Sequence, residues 1–472
     1  MNKKYFSLKL LRAGAALCCS FSFAALAPSA LMPASVCAAA PAAVGDLLPE
    51  ITEIRTYTLC AWSNLISKDD HLGEAARHTL KTMGYDVSSV QLDSPKGNAE
   101  YNIITESDDS GVIRNKIIVM GGTPTLGQSA NLMEPAPVFY DGGDPFAEAA
   151  TSTAKTKIIE PRVHHGYDLR VKSFFFTPDA NGNIVGNQLA DELKQNPDMK
   201  LYITGHGDSG ALATILGARL LNLSVPREQL EVITFGAPPV GNITFGTYYL
   251  HRLPLTRITM RTDAISSLLD KSSDDFVQYG EKKVWTPSKA MEASSRDMAT
   301  YLDSALHLFF DKAATYPAPA VKETDTKIYV APISFNLDSK LVPDQLYMDE
   351  ALTDSLRQMY PGAVFTNDQG ETVAQSLASA KRMGAKFVLV ESVNADRTSY
   401  DRENIMRLSL SETIYNLDGS LVFFQESSAR LKKISPVEAC LYNQISLKEA
   451  RDAALAAGTS GRQQVPRLTL SL

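Results

Sequence analysis

One segment near the middle of the chain constrains the fold more than any other. An apolar run, 200–204, leads into the sequence Gly205-His206-Gly207-Asp208-Ser209-Gly210, and a stretch rich in Ala and Leu follows to residue 223. The pattern predicts a buried strand over 200–204, a glycine-rich turn, and a helix from about Gly210 to residue 223. Small residues on both sides of the turn allow the strand and helix backbones to approach each other closely.

The surrounding sequence predicts an α/β fold. Apolar, β-branched runs at 117–119, 230–235 and 257–261 alternate with helical patterns, which favours a mostly parallel sheet with helices on both faces. A Pro-rich stretch near 316–319 then separates a second unit, whose long hairpin turns at Asp418-Gly419. We therefore predict four parts: a leader over 1–40, a first domain over 45–312, a linker over 313–325, and a smaller C-terminal α/β sandwich domain over 326–460.

The first forty residues have the pattern of a signal peptide. Lys3, Lys4, Lys9 and Arg12 form a basic start, an uncharged apolar run follows over 13–27, and small residues surround Cys37. This predicts export to the periplasm, the cell envelope or the medium, with lipidation at Cys37 as an alternative. No later run is long and apolar enough to predict a membrane helix.

Charge and cysteine content narrow the function classes. The 472-residue chain has a net charge of −7, no basic stripe and no long run of one sign, so nucleic-acid binding is not expected. Removal of the leader leaves Cys60 and Cys440, which fall in different predicted domains. We expect two buried thiols rather than a disulfide framework.

Several motifs, in order along the chain, resemble those of the class 3 lipases. The family's elbow motif, Gly-His-Ser-Leu-Gly-Gly-Ala-Leu-Ala, aligns without a gap at Gly205, His206 and 210–213. Segments 119–123, 163–167 and 234–242 resemble its oxyanion loop, a helix start and the strand after the elbow helix. The resemblance covers about residues 50–312. It implies an α/β-hydrolase fold, a lipid or other ester substrate, and no cofactor or metal.

The resemblance also implies roles for individual residues. Asp263 falls at the position of the catalytic acid and His307 at that of the base, while Thr123 corresponds to an oxyanion donor. Gly205 and His206 correspond to structural residues of the elbow. In the ungapped alignment the nucleophile position is occupied by Gly207, which has no attacking oxygen.

A shifted alignment supplies a serine. Gly207-Asp208-Ser209-Gly210-Ala211 also has a serine between small residues, which would make Ser209 the nucleophile and Gly210 the second oxyanion donor. We therefore keep two hypotheses. The first is an exported ester hydrolase that uses Ser209, His307 and Asp263. The second is an inactive lipase-like module that binds a lipid, an envelope component or a protein, with the C-terminal domain contacting the partner.

Other candidates have simpler explanations. His307 lies in an apolar run and fits a packed position, and Asp263 fits a helix cap. His164 and His165 have carboxylates near them in sequence but no cysteine, so a zinc site is not expected. The loop over 127–154, rich in small residues and Pro, is the predicted location of a lid.

Overall fold

A computed structural model gives the structure of most of the chain after residue 48. It describes residues 49–67, 71–82, 84–92, 99–108, 110–121, 137–140, 160–261, 276–313, 328–366, 370–397, 405–432 and 434–459. The predicted leader with Cys37, Thr123, Asp263 and the predicted lid loop, apart from 137–140, lie outside these ranges.

The larger sheet contains the segment that constrains the fold. Its strands are β1 (Asp86–Leu92), β2 (Ala99–Ser107), β3 (Ile113–Gly121), β6 (Lys200–His206), β7 (Leu230–Phe235), β8 (Leu255–Met260) and β9 (Glu281–Trp285). Two further strands, β4 (Pro137–Phe139) and β5 (Arg162–His164), form a separate sheet. The strand order is β1-β2-β3-β6-β7-β8-β9. Strands β1, β2 and β3 pair antiparallel, and β3, β6, β7, β8 and β9 pair parallel. The mostly parallel sheet confirms the predicted α/β class.

Helices cover both faces of this sheet. They are α1 (Pro49–Leu65), α2 (His71–Thr82), α3 (His165–Phe176), α4 (Val185–Gln195), α5 (Asp208–Asn222), α6 (Ile243–Tyr249) and α7 (Met298–Ala313). Alternate residues of β3 separate two cores: Ile117 and Val119 pack with α1, α2 and α7, and Ile118 and Met120 pack with α3, α4 and α5. This alternation follows from the period of two in a strand. The sequence did not predict α7 or β9.

The C-terminal region has its own mixed sheet. Its strands are β10 (Ile328–Val330), β11 (Ser334–Asn336), β12 (Val364–Phe365), β13 (Phe387–Arg397), β14 (Met406–Asn416) and β15 (Leu421–Arg430), and its helices are α8 (Gln345–Met359), α9 (Val373–Arg382), α10 (Pro436–Ser446) and α11 (Lys448–Thr459). The strand order is β12-β10-β13-β14-β15, with β11 beside β13. The long β14–β15 hairpin turns at Asp418-Gly419, as predicted.

One hydrophobic core joins the two regions. It combines residues of α1 and α7 with residues of α8, α10 and β14, and both Cys60 and Cys440 are fully buried in it as free thiols. The two regions therefore pack extensively against each other, and their division into two domains stays a prediction. Of the predicted linker, 313–325, only Ala313 is among the described residues. Within the described ranges, no helix has both the length and the hydropathy of a membrane-spanning segment.

Candidate active site

The turn after β6 has the geometry of a nucleophile elbow, with a glycine at its apex. Gly207 has φ +58° and ψ −127°, and α5 begins at the next residue. The Gly207 N–H donates to the Phe235 carbonyl at 2.8 Å, which ties the turn to β7. This backbone conformation is strained for a residue with a Cβ, and glycine adopts it without that strain.

Two glycines allow β6 and α5 to meet. A Cβ built on Gly205 would lie 2.2 Å from the Ser209 carbonyl oxygen and 2.6 Å from the Gly210 nitrogen. A Cβ on Gly210 would lie 2.7 Å from the Cβ of Ala237 and 2.9 Å from the Gly205 oxygen. At each of the two glycines a Cβ would meet backbone atoms of the other segment, and backbone atoms cannot move away as a flexible side chain can. The small residues in the elbow pattern therefore have a direct steric cause.

These contacts predict different costs for alanine at two neighbouring glycines. Gly205→Ala places a methyl group against backbone, so we expect it to lower the free energy of unfolding by about 3 kcal/mol or more. Gly207→Ala has open space around the new Cβ. It should lower the free energy of unfolding by only about 1–2 kcal/mol, the cost of a positive φ for alanine. Urea unfolding of both variants measures the difference. Equal costs would show that steric contact between β6 and α5 is not the constraint.

His206 ties the elbow to the start of α7. Its Nε2 lies 2.9 Å from the Arg296 carbonyl oxygen, and its ring meets that of Tyr301 with 5.7 Å between centroids. The first turn of α7 and the residues just before it therefore lie beside the elbow.

Ser209 lies within the first turn of α5, because the helix begins at Asp208 rather than near Gly210 as predicted. The observed start lies two residues before the predicted start near Gly210. Ser209 is partly exposed, whereas Gly210 is buried and its N–H donates to the Gly207 carbonyl at 2.9 Å. The N–H of Gly210 is therefore already used within the elbow.

His307 is not joined to Ser209 by a hydrogen bond. It lies on α7 six residues after Tyr301, about 9 Å farther along the helix axis. Its ring stacks on Tyr347 of α8 with centroids 3.8 Å apart, and its Nε2 has no hydrogen-bond partner. The surroundings of His307 are those of a packed side chain, the alternative that its apolar sequence context indicated.

The other two predicted residues, Asp263 and Thr123, lie outside the described residues. The strands that precede them, β8 and β3, end at Met260 and Gly121. Both strands are parallel to β6, so their carboxyl ends lie at the same edge of the sheet as the elbow.

A polar cluster that the sequence did not predict surrounds Asp208. The Tyr167 hydroxyl donates to Asp208 Oδ1 at 2.7 Å, and the Tyr167 ring stacks on His164 at 4.0 Å between centroids. Arg170 is buried close by and donates to the Gly121 carbonyl at 3.2 Å. Burial lowers the pKa of Arg170, and the Asp208 charge opposes that shift. The sequence of segment 163–167 predicted a helix start, but no pattern within that segment predicted a contact with Asp208.

The Asp208 carboxylate changes the electrostatics of the elbow. The N-terminus of a helix carries a partial positive charge, which suits a developing oxyanion. At this helix the first residue of α5 supplies a negative charge at the same end. A second negative charge there is disfavoured.

A second group of ionisable side chains surrounds His307. Its Nε2 lies 3.7 Å from Asp303 Oδ1 and 3.9 Å from Asp344 Oδ1, and Asp303 accepts a hydrogen bond from Ser288. Burial, then the charge of Asp303, raises the pKa of Asp344 to about 6. Over the parts of the chain that the structure describes, no set of three His, Cys, Asp or Glu residues is arranged to hold a metal ion.

The raised pKa of Asp344 predicts a pH-dependent stability. The carboxyl binds its proton more tightly in the folded chain than in the unfolded chain, where its pKa is about 4. The free energy of unfolding should therefore fall as the pH rises from about 4 to about 6. Asp344→Asn removes this loss, on the order of 2 kcal/mol, which urea unfolding at pH 4 to 7 measures. Asp191→Asn, at an exposed carboxylate, is the control; an unchanged slope in Asp344→Asn would contradict the assignment.

Comparison with known proteins identifies part of this region. Residues 146–271 match the family model described as lipase (class 3). The lipase ZK262.3 of Caenorhabditis elegans is 34% identical over 83 residues, which are 17% of this chain and 24% of that protein. The match thus spans about a quarter of the relative's length.

Solved lipase structures are also similar in part. A fungal lipase in complex with an inhibitor is 19% identical, with a TM-score of 0.36 over 49% of this chain and 79% of that one. Lipase II from Rhizopus niveus is 16% identical, with a TM-score of 0.35 over 49% of this chain and 80% of that one.

Proposed function

We propose, from the premise that residues 146–271 belong to the class 3 lipase family, that this chain binds a lipid or another neutral acyl ester at its elbow without serine hydrolysis. The observation that carries the proposal is the residue at the apex. Gly207 has the positive φ of the elbow and no side-chain oxygen. Acyl transfer through a serine requires that oxygen within reach of a base.

The backbone of the elbow supports ester binding. Nothing lies within 4 Å of the position that a Cβ of Gly207 would occupy, so the apex has room for a ligand atom. The first N–H groups of α5, those of Asp208 and Ser209, have no carbonyl acceptor within the helix. An ester carbonyl oxygen can accept from them. The Asp208 carboxylate favours a neutral ester over a free carboxylate, because like charges repel.

The second candidate is hydrolysis by the shifted serine. Ser209 is partly exposed in the first turn of α5, two residues after the apex, which is the observation in its favour. This mechanism assigns Ser209 as nucleophile, His307 as base and Asp263 as acid, with Thr123 and Gly210 as oxyanion donors. It requires His307 to leave its stack on Tyr347 and Gly210 to release the Gly207 carbonyl.

One set of measurements separates the two candidates. The chain over 41–472 is tested with p-nitrophenyl butyrate and with a fluorophosphonate probe, next to Ser209→Ala. We expect no labelling and no turnover above that of Ser209→Ala, because no activated hydroxyl lies at the apex. Labelling of the unmodified chain that Ser209→Ala abolishes would overturn the proposal in favour of the hydrolase.

Binding is measured by titration calorimetry with ethyl hexanoate and hexanoate. We expect the ester to bind more tightly than the acid, and Asp208→Asn to raise the hexanoate affinity on the order of fivefold by removing one repulsion. Asp191→Asn, at an exposed carboxylate on α4, is the charge-matched control. Absence of ester binding would contradict the proposed function.

We also propose that residues 1–40 direct export and that the C-terminal region contacts an envelope component or a protein. The support for export is the basic start followed by an uncharged apolar run over 13–27. N-terminal sequencing of the chain from cell fractions should find a start near residues 38–41 outside the cytoplasm. A chain that retains Met1 in the cytoplasm would contradict export.

A further inference from the structure

A crevice lies between the lipase-like region and the C-terminal region, away from the elbow. The space inside it that a water molecule can occupy is about 100 Å³, and its mouth is open to solvent. The lining comes from α1, α2, α7, α8 and α10, together with the residue before β1.

The floor of the crevice is apolar and its edge is polar. Trp62, Leu306, Phe310 and Ile445 are all buried to at least nine-tenths of their surface, so the bottom offers aromatic and aliphatic contact. Arg55 and Gln358 are exposed, and Thr58, Asp354 and Ser355 are partly exposed. A ligand that fits this arrangement has a long apolar part and one polar end.

The charges at the edge indicate the polar end. Arg55 is the one cation among the described lining residues, and it is exposed at the edge of the crevice. Asp354, the one anion of the same lining, accepts a hydrogen bond from Gln358 at 2.7 Å and is adjacent to the charges of Arg55 and Arg357. Arg55 is exposed whereas Asp354 is only partly exposed, so the guanidinium is the charge more accessible to a ligand that enters from solvent.

We propose that this crevice binds a single-chain amphiphile with a carboxylate head, with its chain on the apolar floor and its head at Arg55. A guanidinium matches a carboxylate in charge and geometry, and its two N–H groups can donate to both oxygens. Such a ligand contacts α1 and α7 on one side and α8 and α10 on the other. It would thus stabilise the packing between the two regions. The proposal is independent of the proposed function at the elbow.

The test uses the chain over 41–472 with three probes of equal chain length: dodecanoate, dodecanol and dodecyltrimethylammonium, each below its micelle concentration. Titration calorimetry and thermal unfolding give affinity, stoichiometry and Tm. We expect dodecanoate to bind one per chain and to raise Tm. Arg55→Gln should weaken dodecanoate at least tenfold and leave dodecanol unchanged, because only the carboxylate head interacts with the charge.

A blocking variant and its control locate the site. Ser355→Trp adds a large side chain at the edge of the crevice and should abolish binding of dodecanoate and dodecanol. Leu346→Trp, at an exposed position of the same helix, should leave both affinities unchanged. Circular dichroism and urea unfolding confirm that each variant is folded before it is titrated.

Three results would overturn the proposal: equal dodecanoate affinity in Arg55→Gln and the unmodified chain, unchanged binding in Ser355→Trp, or preference for the ammonium amphiphile. The last result would assign the head group to Asp354 instead. Asp208→Asn should not alter dodecanoate binding in the crevice. The titrations with ethyl hexanoate and hexanoate are repeated in Ser355→Trp, which closes the crevice and leaves the elbow unchanged, so failure of the crevice proposal and failure of the elbow proposal are distinguishable.

Discussion

The close approach of β6 and α5 is the contact on which the candidate site depends. Backbone atoms of Gly205 and Gly210 face each other at distances that leave no room for a Cβ on either residue. Because the helix begins immediately after the strand, the chain must reverse within one residue, and Gly207 takes the positive φ that this reversal requires. The position that carries the nucleophile in an active elbow is therefore also the position of greatest backbone strain. A glycine adopts this conformation without strain, but it has no side-chain oxygen for nucleophilic attack.

Asp208 adds a second departure that acts in the same direction. A helix N-terminus stabilises negative charge, and here the carboxylate of the first helical residue lies at that end, held by the Tyr167 hydroxyl at 2.7 Å. An oxyanion that formed at the apex would meet that charge in addition to the helix dipole. The loss of the oxygen at 207 and the gain of a carboxylate at 208 are thus consistent with each other. Together they support the proposed binding of a neutral ligand without serine hydrolysis.

Much of the fold was predictable because its signals are local. The apolar run that forms β6, the strand β7 over 230–235 and the Asp418-Gly419 hairpin have their cause within a few residues. The start of α5 lies two residues before the predicted position, and its N-cap is Gly207 at the positive φ of the turn. The contact between Tyr167 and Asp208 joins residues 41 apart in sequence, and no local pattern encodes it. The family resemblance indicated which segments matter, but not which side chains meet.

The course of helix α7 explains why His307, which follows the elbow in the order expected for a catalytic base, does not lie at the elbow. The helix starts beside the elbow, where Tyr301 meets His206, and then runs into the core shared with the C-terminal region, where His307 stacks on Tyr347. A base must lie within hydrogen-bond reach of the group it deprotonates. A serine introduced at 207 would therefore restore the oxygen without a base, since the adjacent ring of His206 has its Nε2 at the Arg296 carbonyl. The packing that joins the two regions holds the one imidazole of α7 where it stabilises their interface.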